Sequence, residues 1–319
     1  MDKKDLTRKI FGEALAEYGV ANPKIVVLVA DVSSSVMTTT FEQKVPERFF
    51  NVGIAEAGMV DTAVGFALGG LIPFASTFAG LLIRATEQIR TCVAYANTNV
   101  KLIGAFAGLS NFKDGPTHHS IMDVAIMRAM PNMIVLVPSD SIEARKMIPL
   151  IAEHEGPVYV RISRAEMPVI FDDKHKVEIG KGVVVRAGED VTIIANGHML
   201  SRSLEAADLL KAQGIGARVV NIHTVKPLDV PLLKKCAEET GAVVTVEEHS
   251  IIGGLGSAVA ETLVRESPVP VEMVGIADRF AETSRGFDEL LDRYGMSVAD
   301  IVKAAQRALN QRRKLKRLK

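Results

Sequence analysis

Apolar residues along this chain come in two kinds of run, and the two kinds alternate. KIVVLVAD (24–31), VKLIGAFAG (100–108), NMIVLVPSD (132–140) and PVYVRISR (157–164) are short, β-branched and apolar almost without interruption. That pattern predicts strands covered on both faces, as in a parallel sheet. Between them, apolar positions recur at helical spacing over 7–19, 55–69, 79–97 and 140–154. The last segment opens on SDSIEARKM, where Ser139 or Asp140 can cap the helix with a side-chain oxygen.

The alternation lapses over EMPVIFDDKHKVEIGKGVVVRAGED (166–190), whose proline, glycines and mixed charge predict an interdomain linker with room for short strands. It then resumes. DVTIIANG (190–197), ARVVNIHTVKP (217–227), AVVTVEEH (242–249) and VPVEMVGIAD (269–278) predict strands, and segments near 199–213, 229–240, 255–266 and 297–311 predict helices. Two such series predict an α/β protein of two domains, each a mainly parallel sheet flanked by helices.

A length of 319 residues suits two domains, and an apolar share of 48% supplies both cores. Basic and acidic residues balance at 38 each, so charge gives no footprint of a nucleic-acid partner. No apolar run reaches the roughly 18 residues of a membrane span. MDKKDLTRKI lacks the apolar stretch of a signal peptide, and a cytoplasmic location is expected. Cys92 and Cys236 both fall in helical patterns, which suits buried, reduced thiols. The basic end NQRRKLKRLK reads as the solvated end of a last helix, with an anionic partner as the alternative.

Candidate chemistry clusters just past the strands, where α/β sheets bind ligands. ADVSSS follows the first strand, GLSNFKDGPTHH the second, and ISR ends the fourth. Each also reads as an ordinary turn. In KDGPTHH a sharp turn precedes His118 and His119. Adjacent histidines point in different directions and no further His or Cys lies nearby, so zinc is disfavoured. One of them can serve as an acid or base near neutral pH, or simply satisfy backbone groups. In NVGIAEAGMV a single acid, Glu56, stands among small apolar residues at the start of a helical pattern. It is either a partner of the helix dipole or a carboxyl held in an apolar site with a raised pKa, able to share a proton with a ligand nitrogen. GGLG (253–256) opens another helix. It reads chiefly as a tight strand-to-helix turn, since it lacks the full G-x-G-x-x-G spacing of a nucleotide site.

PERFFNVGIAEAGMV, PFASTFAGLLIRATEQIR, KDGPTHH and MPNMIVLVPSD, in this order, resemble the C-terminal half of transketolases. The resemblance covers nearly the whole chain. It implies a pyrimidine-binding domain over 1–175, a linker over 176–190 and the family's C-terminal domain over 191–319, with thiamine diphosphate and Mg²⁺ as cofactors. It implies that Glu56 hydrogen-bonds the cofactor's aminopyrimidine ring and favours its imino tautomer, with Phe78 stacked on that ring and Asp31 beside the cofactor. Asp114 and His118 match residues that contact the sugar's hydroxyls and carbonyl oxygen, with His118 assisting proton transfer. Arg8, Ser35 and Arg164 match positions that hold a sugar phosphate.

Three positions depart from the pattern. Leu81 stands where many relatives place a second aromatic against the pyrimidine. Phe106 replaces a usual phosphate-binding histidine, which leaves the donor and acceptor sugars open. Lys113 stands where an acid is common and is expected to replace part of the lost positive charge. No G-D-G motif, the family's metal and diphosphate anchor, occurs in the chain. The resemblance therefore implies the second subunit of a two-chain transketolase. An N-terminal partner would supply the diphosphate and metal platform, in a heterotetramer that transfers a two-carbon ketol unit between sugars, and Glu56 is expected to be buried only in its presence. The β subunit of a 2-oxoacid dehydrogenase, a fragment of a 1-deoxyxylulose-5-phosphate synthase and a noncatalytic regulatory subunit are the alternatives.

Overall fold

Strands form where the sequence offers side chains for two cores at once. In the computed structural model, which describes residues 3–318, all five residues of Ile25–Val29 are buried. Val26 and Leu28 pack into one core, and Ile25 and Val27 into another on the opposite face of the sheet.

The first half of the chain contributes β1 (Lys4–Leu6), β2 (Ile25–Val29), β3 (Phe49–Asn51), β4 (Ile72–Phe78), β5 (Lys101–Ala105), β6 (Ile134–Leu136), β7 (Val158–Arg161) and β8 (Glu166–Pro168). The second contributes β9 (Val183–Arg186), β10 (Val191–Ala195), β11 (Ala217–Asn221), β12 (Thr224–Lys226), β13 (Val243–Ser250) and β14 (Val271–Ile276). A seven-stranded sheet runs β12-β6-β7-β5-β4-β2-β3 and a five-stranded sheet β14-β13-β10-β11-β9. All pairs are parallel except β12 on β6 and β9 on β11. β1 and β8 form a separate antiparallel pair. The mainly parallel two-domain architecture is therefore the one the alternation predicts. The stretch 166–190 contains β8 and β9, and β9 belongs to the second sheet.

Three local expectations need correction. The run 217–227 is not one strand. It breaks at Ile222 and His223, and β12 crosses over to pair with β6 of the first sheet. An apolar run reports burial, not which sheet does the burying. Buried Asn221 fastens the crossing: its amide donates to Glu143 Oε1 at 2.8 Å and its carbonyl accepts from Ser139 Oγ at 2.7 Å. The predicted helix over 79–97 is also broken. It consists of helical Ala79–Leu82 and Thr86–Gln88 around a 3₁₀ turn at Ile83–Ala85, followed by wide π-type turns at Ile89–Tyr95. Cys92 is half-buried rather than buried, while Cys236 is buried and both thiols are free.

The halves meet through a buried ionic cluster. Arg161 donates through Nε to Asp123 Oδ2 at 2.9 Å and through Nη2 to the Glu248 carbonyl at 2.8 Å. Glu248 Oε1 in turn accepts the Leu109 amide at 2.6 Å. Burial opposes charge on Asp123, but Arg161, His249 and the Tyr159 hydroxyl together hold its carboxyl below the ordinary value. Asp140 is the N-cap of the helix Ser141–Glu153, and its side chain accepts from the Glu143 amide. Among the described residues, no helix is long and apolar enough to cross a membrane.

Candidate active site

The carboxyl ends of adjacent parallel strands place most of the candidate residues together. Asp31 follows β2, Asn51 ends β3, Phe78 ends β4, Phe106 follows β5 and Arg164 lies just past β7. Asp31 and Phe106 both adopt positive φ, 59° and 56°. Left-handed backbone at a residue other than glycine costs roughly 1–2 kcal/mol, and such strain concentrates at functional sites. Asp31 is tied down by Asn51: its amide donates to Asn51 Oδ1 and its Oδ1 accepts from Asn51 Nδ2, each at 3.1 Å. Asn51 Oδ1 also accepts from Gly53, whose φ of +76° turns the chain into the helix Glu56–Leu68. Asn51 was not legible as a site residue, because the three-residue β3 gives no strand pattern.

Glu56 is the first residue of that helix and is only 3% exposed. Its burial needs no partner chain, which corrects the expectation above: Met59, Val60 and Ala63, on the buried side of the same helix, seat it against the first sheet. Oε2 lies 3.2 Å from Arg84 Nη1, and among the described residues Oε1 has no hydrogen-bond partner. An unpaired buried oxygen of this kind costs roughly 1–3 kcal/mol, more when charged. A helix N-terminus favours the negative charge but leaves that oxygen unpaired.

The second cluster centres on Phe106. Its ring stacks on Phe78, centroids 4.2 Å apart and planes 22° apart. Arg8 and Arg164 both lie over it, at 5.1 and 5.0 Å from the centroid. Arg8 donates to the Ser35 carbonyl at 2.6 Å and its Nε is buried without a partner. Arg164 donates to Asn111 Oδ1 at 2.6 Å. Among the described residues neither guanidinium pairs with a carboxylate. Burial, then repulsion from Arg164, pushes the Arg8 pKa down. Two converging cations with no carboxylate partner, resting on an aromatic face, have the chemistry to suit an anion. Lys113 is exposed and lies over Phe112 instead, 5.9 Å from the ring centroid.

The loop after β5 carries the remaining candidates. Asp114 is exposed, and His118 is half-buried with Nδ1 at 3.0 Å from Thr117 Oγ1. The His118 ring stands edge-on to Phe78 at 6.4 Å. His119 is buried, neither ring nitrogen has a hydrogen-bond partner among the described residues, and burial pushes its pKa down. Gly80 admits the loop: a Cβ there would stand 3.3 Å from the His118 carbonyl. Leu81 is half-buried, one turn past Phe78.

GGLG has a different occupant from a nucleotide. Glu247 Oε2 and Oε1 accept the amides of Leu255 and Gly256, at 2.7 and 2.8 Å, so the helix N-terminus already holds an anion from its own chain. Gly254 is needed for this, since a Cβ there would fall 2.1 Å from Glu247 Oε2. Among the described residues, no group of three or more His, Cys, Asp or Glu side chains is arranged to hold a metal.

Comparison with known proteins joins these features. Residues 3–169 match the family model "Transketolase, pyrimidine binding domain" and residues 180–301 "Transketolase, C-terminal domain". The chain is 44% identical over 300 residues to the putative transketolase C-terminal section of Methanocaldococcus jannaschii, covering 93% of this chain and 94% of that one. It is 42% identical to the 6-deoxy-6-sulfo-D-fructose transketolase subunit SqwH of a Clostridium species, covering 93% and 92%. A solved structure described as a split gene transketolase, inactive β4 tetramer, superimposes with a TM-score of 0.90 at 48% identity, covering 96% of this chain and 99% of that one. Two family domains in series and relatives matched over nearly their full length leave one assignment: the chain belongs to the transketolase family and carries its pyrimidine-binding and C-terminal domains.

Proposed function

We propose that this chain is the second subunit of a heteromeric transketolase. It would transfer a two-carbon ketol unit from a ketose to an aldose, with thiamine diphosphate and Mg²⁺ held mainly by an N-terminal partner subunit in a heterotetramer. The observation that carries the reading is Glu56: a buried carboxylate with one oxygen paired and one left without a donor. The relatives support the split arrangement, since two of them are named as a section or a subunit, and the β-only assembly of the solved relative is described as inactive.

The residues present fit the cofactor's pyrimidine half, because the orphaned Oε1 calls for an N–H donor and the half-buried Phe78 offers an aromatic face. Bound thiamine diphosphate would supply the nucleophilic carbon for breaking and remaking the carbon–carbon bond. Glu56 would accept the ring's N–H at Oε1, Phe78 and Leu81 would hold its face, and Asp31 would border the cofactor. Arg8 and Arg164, with Ser35 beside them, would grip an anionic end of the sugar. Planar guanidinium groups suit phosphate and sulfonate oxygens alike. Phe106, where a histidine is usual, offers no further donor, so discrimination between such end groups would rest on the two arginines. Asp114 would orient a sugar hydroxyl, and His118 would exchange a proton at the sugar oxygens.

The test is reconstitution. The chain is expressed with and without a polypeptide carrying the diphosphate-binding domain, supplied with thiamine diphosphate and Mg²⁺, and assayed on ketoses with phosphate, sulfonate or neutral ends. Ketol transfer is expected from the pair only. Turnover by the chain alone would overturn the split-site reading.

A further inference from the structure

Arg84 occupies a position that none of the roles above uses. It sits in the 3₁₀ turn Ile83–Ala85, six residues past Phe78, in the segment where regular helix gives way. Its side chain is 64% exposed, yet Nη1 reaches to 3.2 Å from Oε2 of Glu56, which is 3% exposed. The guanidinium approaches from the solvent side and divides the carboxylate into two unlike oxygens. Oε2 is held by a cation, and Oε1 is held by nothing.

No other cation pairs with Glu56 among the described residues, and Arg84 has no other carboxylate. A glutamate has three rotatable bonds, and a lone buried charge is driven toward solvent or toward its proton. One ion pair, with a guanidinium nitrogen 3.2 Å away, opposes both. It also leaves the second oxygen free.

Resting on the reading of this site as one for thiamine, we propose that Arg84 is a positioning residue for Glu56. By tying Oε2 it holds the carboxylate in place before any cofactor arrives and keeps Oε1 open for the ring's N–H. It touches neither substrate nor reacting atoms.

The test is a double-mutant cycle with Arg84→Met, Arg84→Lys, Glu56→Gln and the double variant Arg84→Met/Glu56→Gln. The first readout is the thermal midpoint of the full chain alone, without cofactor. Arg84→Met is expected to lower it by a few degrees in the parent and to leave it unchanged in the Glu56→Gln background. The second is the affinity of the assembled two-chain enzyme for thiamine diphosphate with Mg²⁺, read by calorimetry. Arg84→Met is expected to weaken binding about tenfold, a coupling within the usual range for paired side chains. Arg84→Lys is expected to recover most of the loss, and Arg84→Met to add none once Glu56 is Gln. If Glu56→Gln leaves affinity unchanged, the thiamine reading itself fails. If Glu56→Gln weakens binding and Arg84→Met does not, only the role of Arg84 fails. Equal weakening by Arg84→Met in both backgrounds would mean direct contact with the cofactor and would also overturn the proposal.

Discussion

Glu56 and Glu247 are both buried glutamates whose carboxyls lie at a helix N-terminus, Glu56 as the first residue of its helix and Glu247 reaching over from β13, and they differ in what their oxygens meet. Glu247 accepts two backbone amides, one on each oxygen. Burial pushes its pKa up, but each oxygen has a donor. Glu56 has one cation on Oε2 and nothing on Oε1. A satisfied buried carboxylate closes a structural problem, here the exposed amides of a helix end. An unsatisfied one keeps an unpaired oxygen whose cost only a ligand donor would offset. The difference separates a group that maintains the fold from one available for chemistry.

The largest effect expected from breaking this contrast is at Glu56. Glu56→Gln in the assembled enzyme should lower turnover by about 10²–10⁴-fold, the usual span for a proton-handling group. The thermal midpoint of the chain should fall far less than that loss would suggest. Near-native turnover would remove Glu56 from its assigned role. Glu247→Ala should do the reverse. It strands two helix-end amides and should cost roughly 2–4 kcal/mol of stability by urea unfolding, while the remaining folded enzyme keeps its KM.

Lys101 extends the contrast to a cation. It is fully buried, and Nζ donates to Asn99 Oδ1 and to the carbonyls of His154 and Gly156 at 2.6–2.7 Å. Burial pushes its pKa down to about 7 from 10.5. Between those values the unfolded chain binds a proton that the folded chain does not, so this lysine's contribution to stability rises with pH from 7 toward 10.5. Wild type should gain up to roughly 2–3 kcal/mol relative to Lys101→Met between pH 7 and 9, at about 1.4 kcal/mol per unit. An unchanged difference between the two chains would show that Lys101 stays charged throughout. The smallest effect is expected at the sugar end. Arg164→Met should raise KM for a ketose with a phosphate or sulfonate end by about tenfold and leave a neutral ketose unaffected. An equal rise for the neutral ketose would take the arginine pair out of anion recognition.

Much of this was legible before the fold. Strands such as Ile25–Val29 were readable because a strand facing two cores must be apolar at every position. β4 was not, because Pro73, Ser76 and Thr77 interrupt its run although it lies inside the sheet. The candidate residues at strand ends were named from motifs, but Asn51, Arg84 and Asn111 were not, since nothing local marks a side chain whose partner is distant in sequence.

The sequence by itself determined the two α/β series, the caps and turns, and which residue types are available for chemistry, because these depend on neighbours within a few positions. Tertiary structure decided which sheet receives Thr224–Lys226, that Glu247 rather than a nucleotide fills GGLG, and that Arg8 and Arg164 converge on Phe106. It also decided that Glu56 is buried within its own chain with one oxygen unpaired. The Glu247 contacts span eight and nine residues across a strand-to-helix turn, and the others reach across tens to more than a hundred, where burial and distance, not local pattern, set the energy.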